Sequence, residues 1–181
     1  WSIAFGPATQ PGRLYAGTIP GGLFVSDDGG DSRELNRPLW NHESRGGDLF
    51  EGEATSTTHW GGTPASIDYG VFEPGIHSIV IDPRNADHLY VAVSSAGILE
   101  TKNGGKTWVG RNKGMRVDYL PDPEAEWGHD PHFVTACRDQ PDHVWQQNHF
   151  GVYYSDNGAQ SWNKVSLPDA GVHFGFPIAV D

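Results

Sequence analysis

The chain has 181 residues, with 23 Asp and Glu against 12 Lys and Arg, and a formal charge of −11 at pH 7. That balance argues against nucleic acid as a partner, since phosphate contacts need a basic surface. No apolar run is long enough to span a membrane as a helix, no signal peptide is visible, and the single Cys137 excludes an intrachain disulfide and is expected as a small buried residue on an inner strand. The compartment stays open, with the cytoplasm marginally preferred.

From the N-terminus, the apolar run 2–5 is followed by a strand-like stretch at 13–17 and by Gly22-Leu23-Phe24. The turn Ser26-Asp27-Asp28-Gly29-Gly30 comes next. The same succession returns as 78–81, 88–93, Gly97-Ile98-Leu99 and the turn from Thr101 through Asn103 and Gly105 to Trp108. It returns again as 133–136, 143–147, Gly151-Val152-Tyr153 and the turn from Ser155 through Asn157 to Trp162. In each turn a hydroxyl residue is followed two positions on by a carboxylate or amide, which accepts backbone N–H bonds, with glycine alongside for positive φ. A polar segment follows each turn, so each unit is expected to be four short antiparallel strands, A to D, with the repeated turn joining C to D. Such units cannot bury both faces alone, and radial stacking as propeller blades satisfies them.

The expected fold is therefore all-β, a β-propeller of four-stranded antiparallel blades. Three blades fall at about 1–38, 75–113 and 131–167, and the inner strand of a fourth is expected at 176–181. Propellers close with roughly four to eight blades. The chain thus reads as part of a six- or seven-bladed parent, or as a partial propeller that closes by associating with itself. Long insertions at 40–75 and 116–131 join the blades.

The SxDxGxxW pattern resembles the Asp-box, or BNR repeat, of sialidase-like β-propellers, a repeat that also occurs in sortilin-type and xyloglucanase-type propellers. The pattern Asp82-Pro83-Arg84-Asn85 before 88–91 is similar to bacterial BNR-repeat proteins labelled glycosyl hydrolase or exo-sialidase. Two positions depart from it: Arg33 stands where Trp is expected, and Ala159 where glycine is expected. The resemblance implies that C–D turns lie on one face and that B–C and D–A loops surround a ligand-binding channel mouth on the other. Ser26, Asp28, Gly30, Thr101, Asn103, Gly105, Trp108, Ser155, Asn157 and Trp162 are then structural. It also implies a sialidase arginine near Gly17-Thr18-Ile19-Pro20, where there is none, so true sialidase activity is disfavoured.

Both insertions place Trp beside acids and histidines, a mixture that suits sugar recognition and equally suits a solvated acidic loop. Trp60, Trp127 and His129 are candidate ligand-binding residues. Glu51 or Glu53 facing Glu124 or Glu126 is the candidate carboxylate pair for glycoside hydrolysis. Aligning the blades on His88 and His143 makes His77 and His132 equivalent at the starts of inner strands, with His149 and His173 on the same face. His132 is the candidate for proton transfer, and His77, His149 and His173 are candidate ligand contacts. Repetition of sequence alone also accounts for the pair. No HExxH or CxxC spacing occurs, so no metal ligand and no cofactor is assigned. Three functions fit: a carbohydrate-active enzyme, a non-catalytic propeller binding a glycan, a small molecule or a protein, and a self-assembling half-propeller.

Overall fold

The computed structural model describes residues 1–19, 21–45, 75–118, 120–167 and 173–181. Blade one consists of β1 (Ser2–Phe5), β2 (Leu14–Gly17), β3 (Leu23–Ser26) and β4 (Glu34–Leu35). After it come a short helix, α1 (Arg37–Trp40), and one turn of 3₁₀ helix, Glu43–Arg45. Blade two consists of β5 (Ile76–Ile81), β6 (Leu89–Val93), β7 (Gly97–Thr101) and β8 (Val109–Gly110). Blade three consists of β9 (Pro131–Ala136), β10 (Val144–Asn148), β11 (Gly151–Ser155) and β12 (Asn163–Lys164). In each blade the strands lie in sequence order and pair antiparallel. The innermost strands β1, β5 and β9 stand side by side. The all-β architecture of four-stranded antiparallel blades is thus the observed one.

Burial follows from position in the stack. Blade two is sandwiched, and every residue of β6 and β7 is buried. Leu89, Val91 and Val93 face blade one and share a core with Tyr15, Leu23, Ile76, Leu99 and Trp108. The alternate residues Tyr90 and Ala92 face blade three and pack with Ile98, Val134, Val144, Tyr153 and Trp162. This is the period of two expected of a strand buried on both faces. The terminal blades instead alternate between covered and open positions. On β1 the open positions are Ile3 and Phe5, which are 65% and 77% exposed.

All three repeated turns close the same way. The Ser26 hydroxyl donates to Asp28 Oδ1 at 2.7 Å and accepts from Gly30 N at 2.9 Å, while Asp28 accepts from Ser32 N. Thr101 with Asn103, and Ser155 with Asn157, repeat these bonds. Ala159 occupies the glycine slot at φ 61°, so the local hydrogen bonds hold a non-glycine residue in left-handed backbone. Gly29, Gly104 and Gly158 each donate to the preceding A–B loop, at Gly12, Asp87 and Asp142, which puts C–D turns and A–B loops at one end of the sheets.

The turn tryptophans also latch neighbouring blades. Trp162 Nε1 donates to the Arg111 carbonyl at 2.7 Å, and Trp108 Nε1 donates to Asn36 Oδ1 at 3.1 Å. Asn36 also caps α1 by accepting from Leu39 N. At the same end, buried Glu100 accepts from Arg111 and lies 2.6 Å from His88 Nε2, while His88 Nδ1 lies 2.9 Å from buried Asp82. Arg84 then joins Asp82 to Asp142 of blade three.

Two expectations need correction. Residues 176–181 belong to no sheet; a strand needs a ladder partner, and none is present among the described residues. Residues 178–181 instead share a groove with Trp145, Val152 and Tyr154 on the open face of blade three. Cys137 is not a buried inner-strand residue. It lies just past β9, half-buried, and its Sγ donates to the Asp181 carbonyl at 3.3 Å.

Asn103→Ala should lower stability by about 1 kcal/mol in urea unfolding, because its turn bonds are lost while the buried blade faces remain. The charge network sets an acid limit. Burial alone would raise the Glu100 carboxyl, but hydrogen bonds from His88 and Arg111 and the charges of Arg111 and Lys102 hold it down at about 2. Against burial, Arg84 and then His88 hold Asp82 at about 2 as well. A lowered folded-state pKa stabilises above the ordinary value, 4.5 for Glu100, and that stability is lost as pH falls toward 2. Urea midpoints should therefore drop across that window, and Glu100→Gln should be less stable at neutral pH with a flatter acid limb.

Candidate functional site

The opposite end of the sheets, formed by B–C turns and D–A segments, carries the histidine group. His77 and His132 each sit on a β-bulge. Ile76 pairs with Val93 and Ser78 with Ala92, leaving His77 between them unmatched. Pro131 pairs with Asn148 and Phe133 with Gln147, leaving His132 unmatched. A bulge adds one residue to a strand and re-aims its side chain, which is how two equivalent histidines come to face one another. Their ring centroids are 6.1 Å apart, and His149, in the turn after β10, stands 5.5 Å from His132.

Asp130 organises this group. Its carbonyl accepts from His149 N at 2.9 Å, and its Oδ2 lies 3.4 Å from His132 Nε2 and 3.5 Å from His149 Nδ1. Its Oδ1 is buried and has no hydrogen-bond partner among the described residues. His132 Nδ1 faces the Gly175 carbonyl at 2.6 Å and can only donate to it, which directs Nε2 toward Asp130. His77 Nδ1 accepts the indole N–H of Trp1 at 3.3 Å.

The two bulge histidines are driven in opposite directions. Burial lowers the pKa of His77, with the Asp130 charge opposing and the neighbouring His132 adding to the effect. Burial also pulls His132 down, but the Asp130 carboxylate and the Gly175 carbonyl outweigh it, so its pKa rises. Two neighbouring groups separated in this way are suited to giving and taking a proton.

Aromatic rings surround the polar group. Phe176 stacks on His132 at 4.6 Å, and Phe174 lies edge-on to His132 and His149 at 5.2 and 5.0 Å. Trp1, Phe174 and Phe176 are 74%, 53% and 58% exposed, so their outer faces are open.

The structure thus brings His77, His132 and His149 together. His173 is adjacent in sequence, with Nδ1 buried and unpartnered among the described residues, but Phe174 makes the ring contacts. Trp127 does not join them. Its ring lies against Gly110 of the outer strand β8 and edge-on to His42 at 5.5 Å, packed on the core between blades one and two. Trp1 stands beside His77 instead, edge-on with ring centroids 6.0 Å apart. His129 is fully buried, with Nε2 on the Ala125 carbonyl at 2.8 Å, and holds its own loop. Glu124 and Glu126 are exposed, and Glu124 pairs with Arg116 at 3.0 Å. Glu51, Glu53 and Trp60 lie outside the described residues. Asp130 was legible only as one loop acid among several, and Phe174 and Phe176 as the lead-in and start of a strand.

No family model and no curated protein matches the chain. Solved structures do. An ancestral GH74 enzyme aligns over 92% of this chain at 20% identity and TM-score 0.57, and the GH74 enzyme of Niastella koreensis over 93% at 16% and 0.53. YCF48 bound to D1 peptide aligns over 94% at 12% identity and 0.53. The fold is a β-propeller. At these identities the likeness concerns fold alone, and the chain spans 18%, 22% and 42% of those three proteins. The Asp-box family resemblance rests on the turns alone.

If Trp127 is a blade-edge packing residue, Trp127→Ala should cost about 2 kcal/mol in urea unfolding. Ligand affinity at the histidine end should stay unchanged in the same variant, measured under folded conditions.

Proposed function

We propose that the chain binds carbohydrate at the end of the sheets that carries His77, Asp130, His132 and His149. The observation that carries this reading is the set of exposed rings, Trp1, Phe174 and Phe176, around a compact polar group. Apolar ring faces suit the C–H faces of a pyranose, and imidazole and carboxylate groups suit its hydroxyls. The GH74 enzymes among the similar structures are in keeping with this reading. Hydrolysis by a carboxylate pair requires a second acid facing the first across roughly 5–9.5 Å. Among the described residues Asp130 is the acid in the cluster, and Glu124 is engaged by Arg116, so binding is the activity proposed.

The open faces of blades one and three, with Ile3 and Phe5 on one side and Trp145 and Tyr154 on the other, suit further blades, from a longer chain or a second copy. YCF48 bound to D1 peptide supplies the competing reading, peptide binding at the same end.

Binding to an array of plant, bacterial and host glycans should identify at least one ligand. Trp1→Ala and Phe176→Ala should each weaken it by roughly tenfold, which corresponds to about 1.4 kcal/mol. Retention of peptides with no glycan bound would select the competing reading. Binding of neither class would sink both.

A further inference from the structure

We propose that Asp130, His132 and His149 form a binding site for a divalent first-row transition cation. One ligand atom from each of the three residues lies within 4.8 Å of the others, and Asp130 Oδ2 stands near both His132 Nε2 and His149 Nδ1. The separations of 3.4 and 3.5 Å from the carboxylate oxygen to the two nitrogens are long for charge-assisted hydrogen bonds, which run at about 2.7–2.9 Å. They are close to the roughly 3.3 Å edge that tetrahedral geometry gives for ligands about 2.0 Å from a metal. The imidazole of His149 is about half exposed, so the site is open to solvent on that side.

Supporting contacts are already built. His132 donates its Nδ1 hydrogen to the Gly175 carbonyl, the kind of outer bond that fixes a ligating imidazole with its other nitrogen toward the metal. The second oxygen of Asp130 is buried without a hydrogen-bond partner among the described residues, so the carboxylate carries acceptor capacity that the protein leaves unused there. His77 stands outside the ligand set. Its Nδ1 accepts from Trp1, so the neutral ring keeps its hydrogen on Nε2 and presents a donor there.

Two imidazoles and one carboxylate are borderline donors. They suit Zn²⁺, Co²⁺, Ni²⁺, Mn²⁺ or Fe²⁺ over Ca²⁺ and Mg²⁺, which take oxygen ligands. Three protein ligands leave at least one position for water or a ligand oxygen, as in catalytic sites, whereas structural sites are closed by four.

The chain, stripped with chelator and dialysed, should bind one Zn²⁺ by calorimetry and develop visible ligand-field bands with one equivalent of Co²⁺. Asp130→Asn and His149→Ala should weaken Zn²⁺ at least about tenfold and remove the Co²⁺ bands. His149→Ala changes a half-exposed turn residue, so the fold should persist, and circular dichroism checks it. His143→Ala, at the opposite end of blade three, should bind Zn²⁺ like the parent chain. Absence of Co²⁺ bands in the folded parent chain would overturn the proposal. Equal loss in His143→Ala, or unchanged affinity in Asp130→Asn and His149→Ala, would overturn it as well. The assay contains no sugar, so its outcome stands apart from the carbohydrate reading.

Discussion

Everything in this molecule depends on one constraint: a four-stranded blade has two faces and cannot cover both. Blade two resolves it by lying between neighbours, and its central strands are therefore buried at every position. Alternate residues of β6 then belong to different cores, Val91 to one and Tyr90 to the other. The inter-blade bonds follow the same logic. Trp108 and Trp162 reach back to the end of the preceding blade, so each of these two turns fixes both its own hairpin and its distance to the sheet before it.

The hydrogen-bonded turns supply a stiff frame at one end, which lets the other end depart from regularity. Bulges at His77 and His132 interrupt their ladders at the first strand residues, where the loss in pairing is small and the change in side-chain direction is large. Blade three goes further. Its second strand buries Gln146 and Asn148, which satisfy one another and Met115, and Asn148 Oδ1 then accepts from Phe150 N across the turn that presents His149. A buried polar strand is tolerable here because each of these amide groups finds a partner.

Much of the frame was legible in the chain itself, because the turns depend on local chemistry alone. Ser26 with Asp28, Thr101 with Asn103 and Ser155 with Asn157 need no distant partner, so their spacing marks the C–D hairpins directly. Counting back from His88 and His143 also found the bulge histidines, though the bulges themselves have no signal in residue type. The loops were less legible. Whether a Trp in a long D–A segment reaches the rim or the ligand end depends on the path of that segment, and Trp127 turned toward Gly110. Asp130 gained its role from the turn opposite, through the bond from His149 N, a contact between residues 19 positions apart. Phe174 and Phe176 alternate as a strand would, yet without a ladder partner among the described residues they serve as rings over His132.

The placement of the polar group has a consequence for how function and fold are coupled. Asp130, His132 and His149 all come from blade three and its leading loop, and the fixing carbonyl, Gly175, comes from the segment that follows. The repeated turn of blade three lies at the far end of strands of five or six residues, roughly 17–20 Å away. Changes that loosen a turn therefore act on the group only through the strands, and changes at the group leave the turns closed. Within blade three the two ends still share one element. Strand β10 begins next to the charge network of Asp142 and ends at Asn148 beside His149, so a shift in its register would move both ends together. The buried face of β10, where Val144 joins the second core and Gln146 and Asn148 lie beside it, opposes that shift, and burial is what holds the polar group in place.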